Sequence, residues 1–322
     1  MKTVFRYIAV IVLSAAAIAA AAVPAHAGSV HALGAGDLVG ETKVIAARYE
    51  DTFLDIGRAH GVGFEELRKA NPEVNAWVPG EGTGVLLPTR FVLPQAPREG
   101  VVVNIAEFRI YFYYAVDGEP FVASLPASVG RMDWATPLGR TRIVSRVSKP
   151  SWYPPESVRQ EYAADGRSLP RIVPPGPDNP LGDYALRLGL PGYLIHGTNR
   201  PDGVGMRVTH GCIRLFPEDI EWLFPRTAID MPVQIVNQPV KFGWDGDELF
   251  LEVHPELEGG AEADTIPRGM TAVTEAFVVA TRERAAEVDW DLIVRVYREQ
   301  TGVPVRVGEA RSLSPAGTAA SL

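Results

Sequence analysis

The sequence predicts a mainly β protein, with a small α+β module ahead of its β-rich domain and an α+β region behind it. Three observations predict this. Residues Val101–Ile105, Phe108–Val116 and Phe121–Val129 are rich in β-branched and aromatic residues, and Asp117-Gly118 between the last two runs is a strong hairpin signal. Residues 43–88 read in the order strand, helix, helix, strand. The 27 prolines spread through the chain favour short strands and loops over long helices.

Residues 1–27 combine Lys2 and Arg6, an apolar stretch from Tyr7 to Val23, and the small-residue pattern Ala25-His26-Ala27. This is the charge, core and cleavage arrangement of a secretory signal, so the mature chain is expected to start near Gly28. Retention as a membrane anchor fits less well, because the stretch is alanine-rich and runs directly into the cleavage pattern. Removing the leader moves the formal charge from −8 to −10, with 29 basic against 39 acidic residues, and nothing suggests a nucleic-acid partner.

In the first module a strand is expected over Lys43–Ala47, and Asp51-Thr52 is suited to cap a helix over Phe53–Ala59. Gly61-Val62-Gly63 turns the chain into a second helix, Phe64–Ala70, which Asn71-Pro72 stops before a strand over 84–88. This order resembles a LysM module, a small glycan-binding domain, and the resemblance implies a module spanning residues 41–94. Glu50 stands where a glycine usually precedes the Asp-Thr pair, so the resemblance supports the fold more firmly than sugar affinity.

In the β-rich domain, the three strand runs form a meander, and Thr136-Pro137-Leu138-Gly139 turns into a further strand over Thr141–Val147. Residues 150–180, crowded with proline and glycine and containing Trp152-Tyr153-Pro154-Pro155, are expected to form a long loop without regular helix or central strand. An apolar strand through Leu194-Ile195 delivers His196 at its end, Pro217 opens a short helix over 218–224, and Val233–Val236 closes the domain. Farther on, a strand over Leu249–Val253, helices over Met270–Ala286 and Asp289–Gln300, and a strand over Val303–Val307 precede a small-residue tail, 312–322, expected to be disordered.

The chemistry concentrates between residues 192 and 224. Cys212 is the only cysteine, and exported proteins ordinarily use thiols in pairs, so an unpaired one is either buried and inert or kept for reactivity. Thr209-His210-Gly211-Cys212 is too polar for a core strand, which favours reactivity. A thiol attacks as the thiolate and needs an imidazole close by, for which His196 and His210 are candidates. Gly211 removes a side chain where substrate approaches and lets backbone N–H groups face an oxyanion. Arg214 offers a fork of donors matched to a carboxylate. The pattern reads as acyl transfer on a substrate bearing an acid group. Zinc is the other chemistry two histidines and a cysteine suggest, but a fourth ligand is missing from the motif.

Thr209-His210-Gly211-Cys212-Ile213-Arg214, with His196 sixteen residues before the cysteine, resembles the signature of the L,D-transpeptidases, the YkuD-type catalytic domain of bacterial cell-wall enzymes. The resemblance extends over 98–237, with Thr136–Gly139 and Trp152–Pro155 as further matching features and 240–255 similar to the segment that follows the domain in enterobacterial-type members. It implies a YkuD-type β-rich domain over 98–237 and an appended region over 238–311. It further implies that Cys212 attacks a peptidoglycan tetrapeptide stem, that D-alanine leaves, and that a thioester is passed to an amine. His196 is then the general acid/base, oriented by the Gly197 carbonyl. His210 and Gly211 shape the site and oxyanion hole, and Arg214, with Gly197 and Thr209, belongs to substrate binding. The implied partners are peptidoglycan stems and glycan, an outer-membrane lipoprotein as one acceptor, and carbapenem-type inhibitors. No metal or organic cofactor is implied, and the implied location is the periplasm. A hydrolase of the same fold, or a wall-binding protein without catalysis, remains the alternative. The appended region is expected to sit near the active-site rim and bias acceptor choice.

Overall fold

The structure is a computed structural model describing residues 28–131, 134–257 and 269–311. The signal sequence expected over 1–27 and the tail expected over 312–322 lie outside the described residues.

The N-terminal part runs β1 (Ser29–Ala32), β2 (Leu38–Gly40), β3 (Lys43–Ala46), α1 (Phe53–His60), α2 (Phe64–Ala70), β4 (Gly84–Leu87) and β5 (Arg90–Val92). Strands β3 and β4 pair antiparallel with both helices between them in sequence, giving the expected strand-helix-helix-strand order. Thr52 caps α1 through the amide of Asp55, and the Asp55 carboxylate returns the bond to the amide of Thr52. Gly61 ends the helix at φ +67°, a conformation only glycine adopts without strain. The Asn71 amide donates to the Leu67 and Leu86 carbonyls and accepts from the Leu86 amide, so the residue that stops α2 also fastens it to β4. Phe53, Ile56, Leu67, Val85 and Leu87 fill the small core. Outside this unit, β2 pairs with β5, and β1 lies along the next domain. Neither pairing was expected from such short segments.

The β-rich domain comprises β6 (Gly100–Asn104), β7 (Arg109–Val116), β8 (Glu119–Gly130), β9 (Gly139–Ser148), α3 (Glu156–Ala164), β10 (Tyr184–Leu188), β11 (Leu194–His196), β12 (Arg207–Thr209), β13 (Ile213–Leu215), α4 (Pro217–Leu223) and β14 (Pro232–Val236). The strands follow the order β8-β13-β11-β10-β9-β14-β6-β7, and pairing of β7 with β8 closes the ring. Closure leaves no open edge within the ring. The turn between β7 and β8 has Asp117 at φ +52° and Gly118 at φ +87°, the two positive angles of the hairpin that Asp-Gly announces. Inward residues of these strands, among them Val101, Ile110, Leu125, Ile143, Ile195, Ile213 and Ile235, make the main core.

Two expectations are corrected. Residues 150–180 contain a helix, α3: Pro154 and Pro155 precede it, where proline does no harm, and Glu156–Ala164 then offers nine residues without proline or glycine. A paired bridge between Trp152 and Val173, with Asn179 donating to the Pro150 carbonyl, closes the base of this excursion. The helix expected over Met270–Ala286 ends at Ala280. Ala286–Val288 is a strand instead, running beside Gly308, whose missing side chain leaves room for the Glu287 carbonyl.

The C-terminal unit is a four-stranded antiparallel sheet in the order β15-β16-β18-β17, formed by β15 (Val240–Asp245), β16 (Glu248–Val253), β17 (Ala286–Val288) and β18 (Val305–Ala310). Helices α5 (Met270–Ala280) and α6 (Trp290–Glu299) pack their Val273, Ile293 and Val296 against Phe242, Leu249 and Leu251.

Buried ionic groups join the three parts. Glu66 of α2 and Arg109 of β7 form a two-pronged pair at 2.9 and 2.8 Å, and the same guanidinium reaches Ser124 and the Gly61 carbonyl. Lys241 of β15 lies 2.8 Å from both Glu107 and Glu252 and donates to the Val92 carbonyl. Burial opposes the lysine's charge, but the two carboxylates outweigh it and raise its pKa.

Candidate active site

Cys212 sits just before β13, between β12 and the parallel pair β11–β13. That pair aligns Ile195 with Ile213 and His196 with Arg214. The two-residue period of a strand therefore turns His196, Arg214 and Cys212, two residues before Arg214, to one face. The register brings a motif split by sixteen residues together in space.

His196 is buried at 5% exposure, and its Nδ1 lies 2.6 Å from the carbonyl of Gly197. A carbonyl only accepts, so Nδ1 carries the hydrogen toward Gly197, and a second backbone hydrogen bond, at Leu181, also holds the ring. Burial first, then the charge of Arg214, pushes the imidazole pKa down to about 3. Gly197 is itself seated on α4, because a side chain there would meet Ile220 Cγ2 at 2.9 Å.

The Cys212 thiol faces the Gly192 carbonyl at 3.6 Å. Burial raises its pKa above the ordinary value, and a backbone hydrogen bond at Leu194 and the charge of Arg214 pull the other way without reversing it. Thiol and imidazole thus both rest neutral near pH 7. This favours proton transfer during attack over a preformed ion pair.

Gly211 has φ +97°, and a side chain there would meet Tyr193 Cε1 at 2.8 Å. Its carbonyl accepts from the hydroxyl of Thr136 at 2.8 Å, and that oxygen accepts from the Gly130 amide at 3.0 Å. The Thr136–Gly139 turn thereby holds the loop that presents the thiol. Thr209 is buried, and its hydroxyl donates to the Cys212 carbonyl at 2.5 Å, so it shapes the same loop from the other side.

His210 leads away from the core. Its Nε2 is 2.9 Å from Glu161 Oε2 on α3, and its ring meets Trp134 edge to face at 5.2 Å. Both oxygens of Glu161 are also held by Arg131 at 2.8 Å, and Arg131, then His210, hold its carboxyl down at about 2. Glu161, Arg131 and Trp134 were not singled out from the sequence. Glu161 was hidden in the segment expected to be loop, although a glutamate and an arginine facing a catalytic-looking motif were the available signal.

Arg214 is largely buried. Burial and the nearby charge of Arg200 lower its pKa, and its Nε has no hydrogen-bond partner among the described residues. A guanidinium held in this way suits a ligand carboxylate. Gly203 passes beside it, since a side chain there would stand 3.3 Å from one guanidinium nitrogen. The described cluster with metal-ligand chemistry lies elsewhere: Glu107, Glu252 and His254 converge, and the Lys241 ammonium already stands against both carboxylates.

A family model of the L,D-transpeptidase catalytic domain matches residues 98–235. The probable L,D-transpeptidase ErfK/SrfK of Salmonella typhimurium is 37% identical over 282 residues, covering 85% of this chain and 89% of that protein. The probable L,D-transpeptidase YcfS of Escherichia coli is 37% identical over 301 residues, covering 91% and 92%. Among solved structures, an L,D-transpeptidase from Mycobacterium tuberculosis H37Rv is 20% identical, with 50% of this chain and 64% of that one covered at a TM-score of 0.31. With relatives this similar along most of its length, the chain belongs to the L,D-transpeptidase family.

Proposed function

We propose that this enzyme works by cysteine catalysis on peptidoglycan tetrapeptide stems, with Cys212 as nucleophile and His196 as its base. The observation that carries the reading is the 2.6 Å bond from His196 Nδ1 to the Gly197 carbonyl, which orients the ring on β11, the strand paired with β13 at whose start Cys212 lies. As Sγ attacks the stem carbonyl on the L-centre of diaminopimelate, its proton passes to Nε2. Backbone N–H groups of the Gly211–Cys212 turn meet the oxyanion, and the imidazolium returns the proton to the departing D-alanine amine. A thioester remains on Cys212. An acceptor amine then loses a proton to His196 as it attacks, and the thiol is restored.

The donor carboxylate pairs with Arg214. Two acceptors fit this chemistry: the D-centre amine of a second stem, which yields a wall crosslink, and a lysine of an outer-membrane lipoprotein. Export through the signal over 1–27 places the enzyme in the periplasm with these substrates. The module over 41–94 adds a contact with glycan, for which exposed Tyr49 and Trp77 supply aromatic faces.

Mass spectrometry of the mature protein incubated with disaccharide-tetrapeptide, with and without a lysine-ended lipoprotein peptide, tests the scheme. The expected result is an acyl adduct on Cys212, absent in Cys212→Ala, that moves to an amine. Transfer to the peptide identifies lipoprotein attachment, and transfer to a second stem identifies crosslinking. Release only to water identifies a hydrolase. No adduct under any condition returns the chain to wall binding without catalysis.

A further inference from the structure

The reading of residues 1–27 as a cleaved signal and the contacts of Gly28 meet at one point. The Gly28 backbone nitrogen lies 3.0 Å from Oδ1 of Asp219, a carboxylate with 0% exposure in the first turn of α4. We propose that cleavage before Gly28 creates an α-ammonium that docks on Asp219 and sets the active site in its working geometry. The proposal rests on the export reading and concerns what processing does to the folded enzyme.

Hydrolysis adds one water across the Ala27–Gly28 bond. The leader leaves with the new carboxylate, and Gly28 keeps the nitrogen, which binds a proton at neutral pH. In the precursor the nitrogen is an amide with a single N–H and no charge. After cleavage it is a cation with three donors against a buried anion, and charge-assisted bonds of this kind are about twice as strong as neutral ones.

The surroundings are shaped for a bare glycine terminus. A side chain on residue 28 would lie 2.2 Å from Leu125 Cδ2 and 2.8 Å from the Ser124 carbonyl. Immediately after it, β1 pairs with β8 from Ser29 opposite Ser124 to Ala32 opposite Phe121. The same β8 pairs farther along with β13, at Ser128 opposite Arg214. The clamp therefore ties β1, and β8 beside it, to α4, the helix that follows β13. Ile220, the residue after Asp219, is the one seated under Gly197, whose carbonyl orients His196. A shift of α4 is transmitted to the base through two contacts. An enzyme built this way reaches full activity only after its leader is removed.

The test compares mature protein starting at Gly28, released from a fusion cut immediately before that residue, with protein retaining His26 and Ala27. Both are also made with Asp219→Asn. The clamp predicts a melting temperature higher by roughly 3–6 °C for the exact terminus at pH 7, with faster acylation of Cys212 by a carbapenem. Asp219→Asn removes the difference between the two termini. An α-amino group has an ordinary pKa near 8, and pairing raises it. The extra stability is thus complete below about pH 8 and disappears as pH rises through the folded value. Arg58 feels the charge of Asp219 together with those of Glu218 and Asp202, and its pKa is raised, first by its bond to Glu218, while His31 on β1 is held below its ordinary pKa by burial and by Arg109. Neither Arg58 nor His31 titrates in that alkaline window. Equal melting temperatures for the two termini overturn the proposal, as does N-terminal sequencing of exported protein that begins elsewhere. The thermal arm reads out even if the carbapenem fails to react, so failure of the clamp and failure of the cysteine mechanism are distinguishable.

Discussion

Glu161 on α3 holds His210 through a 2.9 Å contact while Arg131 grips both oxygens of the same carboxylate. Helix α3 is thereby latched to the loop carrying His210 and Cys212, and the imidazole is held in one orientation. Glu161→Gln keeps the volume and an acceptor but removes the charge. It is expected to lower kcat for acyl transfer roughly tenfold, about 1.4 kcal/mol, with little change in KM. Steady-state kinetics of the variant check this. Unchanged kcat would mean that His210 needs no fixed orientation.

With His196 as the proposed base, an unusual acid limb is predicted. A base works only when unprotonated, and its pKa is pushed down to about 3 by burial and by Arg214. Acylation of Cys212 should therefore stay level from neutral pH to about pH 5 and fall only as the pH approaches 3. Rates of carbapenem adduct formation followed by intact mass across that range are the check. A limb centred near 6.5, the value of a solvated histidine, would show that the ring is not desolvated in the working enzyme. His196→Ala is expected to slow acylation by about 10²–10⁴-fold.

The same low pKa has a cost in acid, shared by a second residue. Burial also brings His254 down to about 3, offset only partly by Glu107. Both rings stay neutral in the folded state at pH values where the unfolded chain protonates them near 6.5. Stability is then full above about pH 6.5 and falls as the pH drops toward 3, by up to about 1.4 kcal/mol per pH unit for each ring. Urea unfolding at pH 7 and pH 5 should show the loss, and His254→Gln should reduce its slope by one proton. Equal stability at the two pH values would contradict the buried neutral state.

The strand runs of the barrel and the strand-helix-helix-strand module were legible because each rests on local signals: β-branched runs, Asp117-Gly118, and a capping pair at Asp51-Thr52. The grouping of His196, Cys212 and Arg214 was legible through the motif, while its geometric cause, the β11–β13 register, was not. Strands β1, β2 and β5 are three or four residues long and exist only because of partners distant in sequence, so no periodicity announces them. Helix α3 was masked by the prolines that introduce it. Glu161 meets His210 only when that helix forms.

The Glu66–Arg109 pair was also invisible in the sequence, because its members lie in units that read as separate. Fully buried at 0% side-chain exposure for the arginine and 7% for the glutamate, it joins the first module to the barrel. The guanidinium stacks 4.2 Å above the Phe91 ring, and Glu66 also accepts from the Gly63 amide. Gly63 in turn touches Gly205 of the loop after His196, where a side chain on Gly205 would stand 2.3 Å from the Gly63 Cα. Removing one partner strands a buried charge, so Arg109→Met is expected to cost about 3–5 kcal/mol, whereas replacing both residues with apolar ones of similar volume should restore much of that loss. Chemical denaturation of the single and double variants measures the coupling. If the single variant loses under about 1 kcal/mol, in the range of an exposed pair, the module is not anchored by this contact.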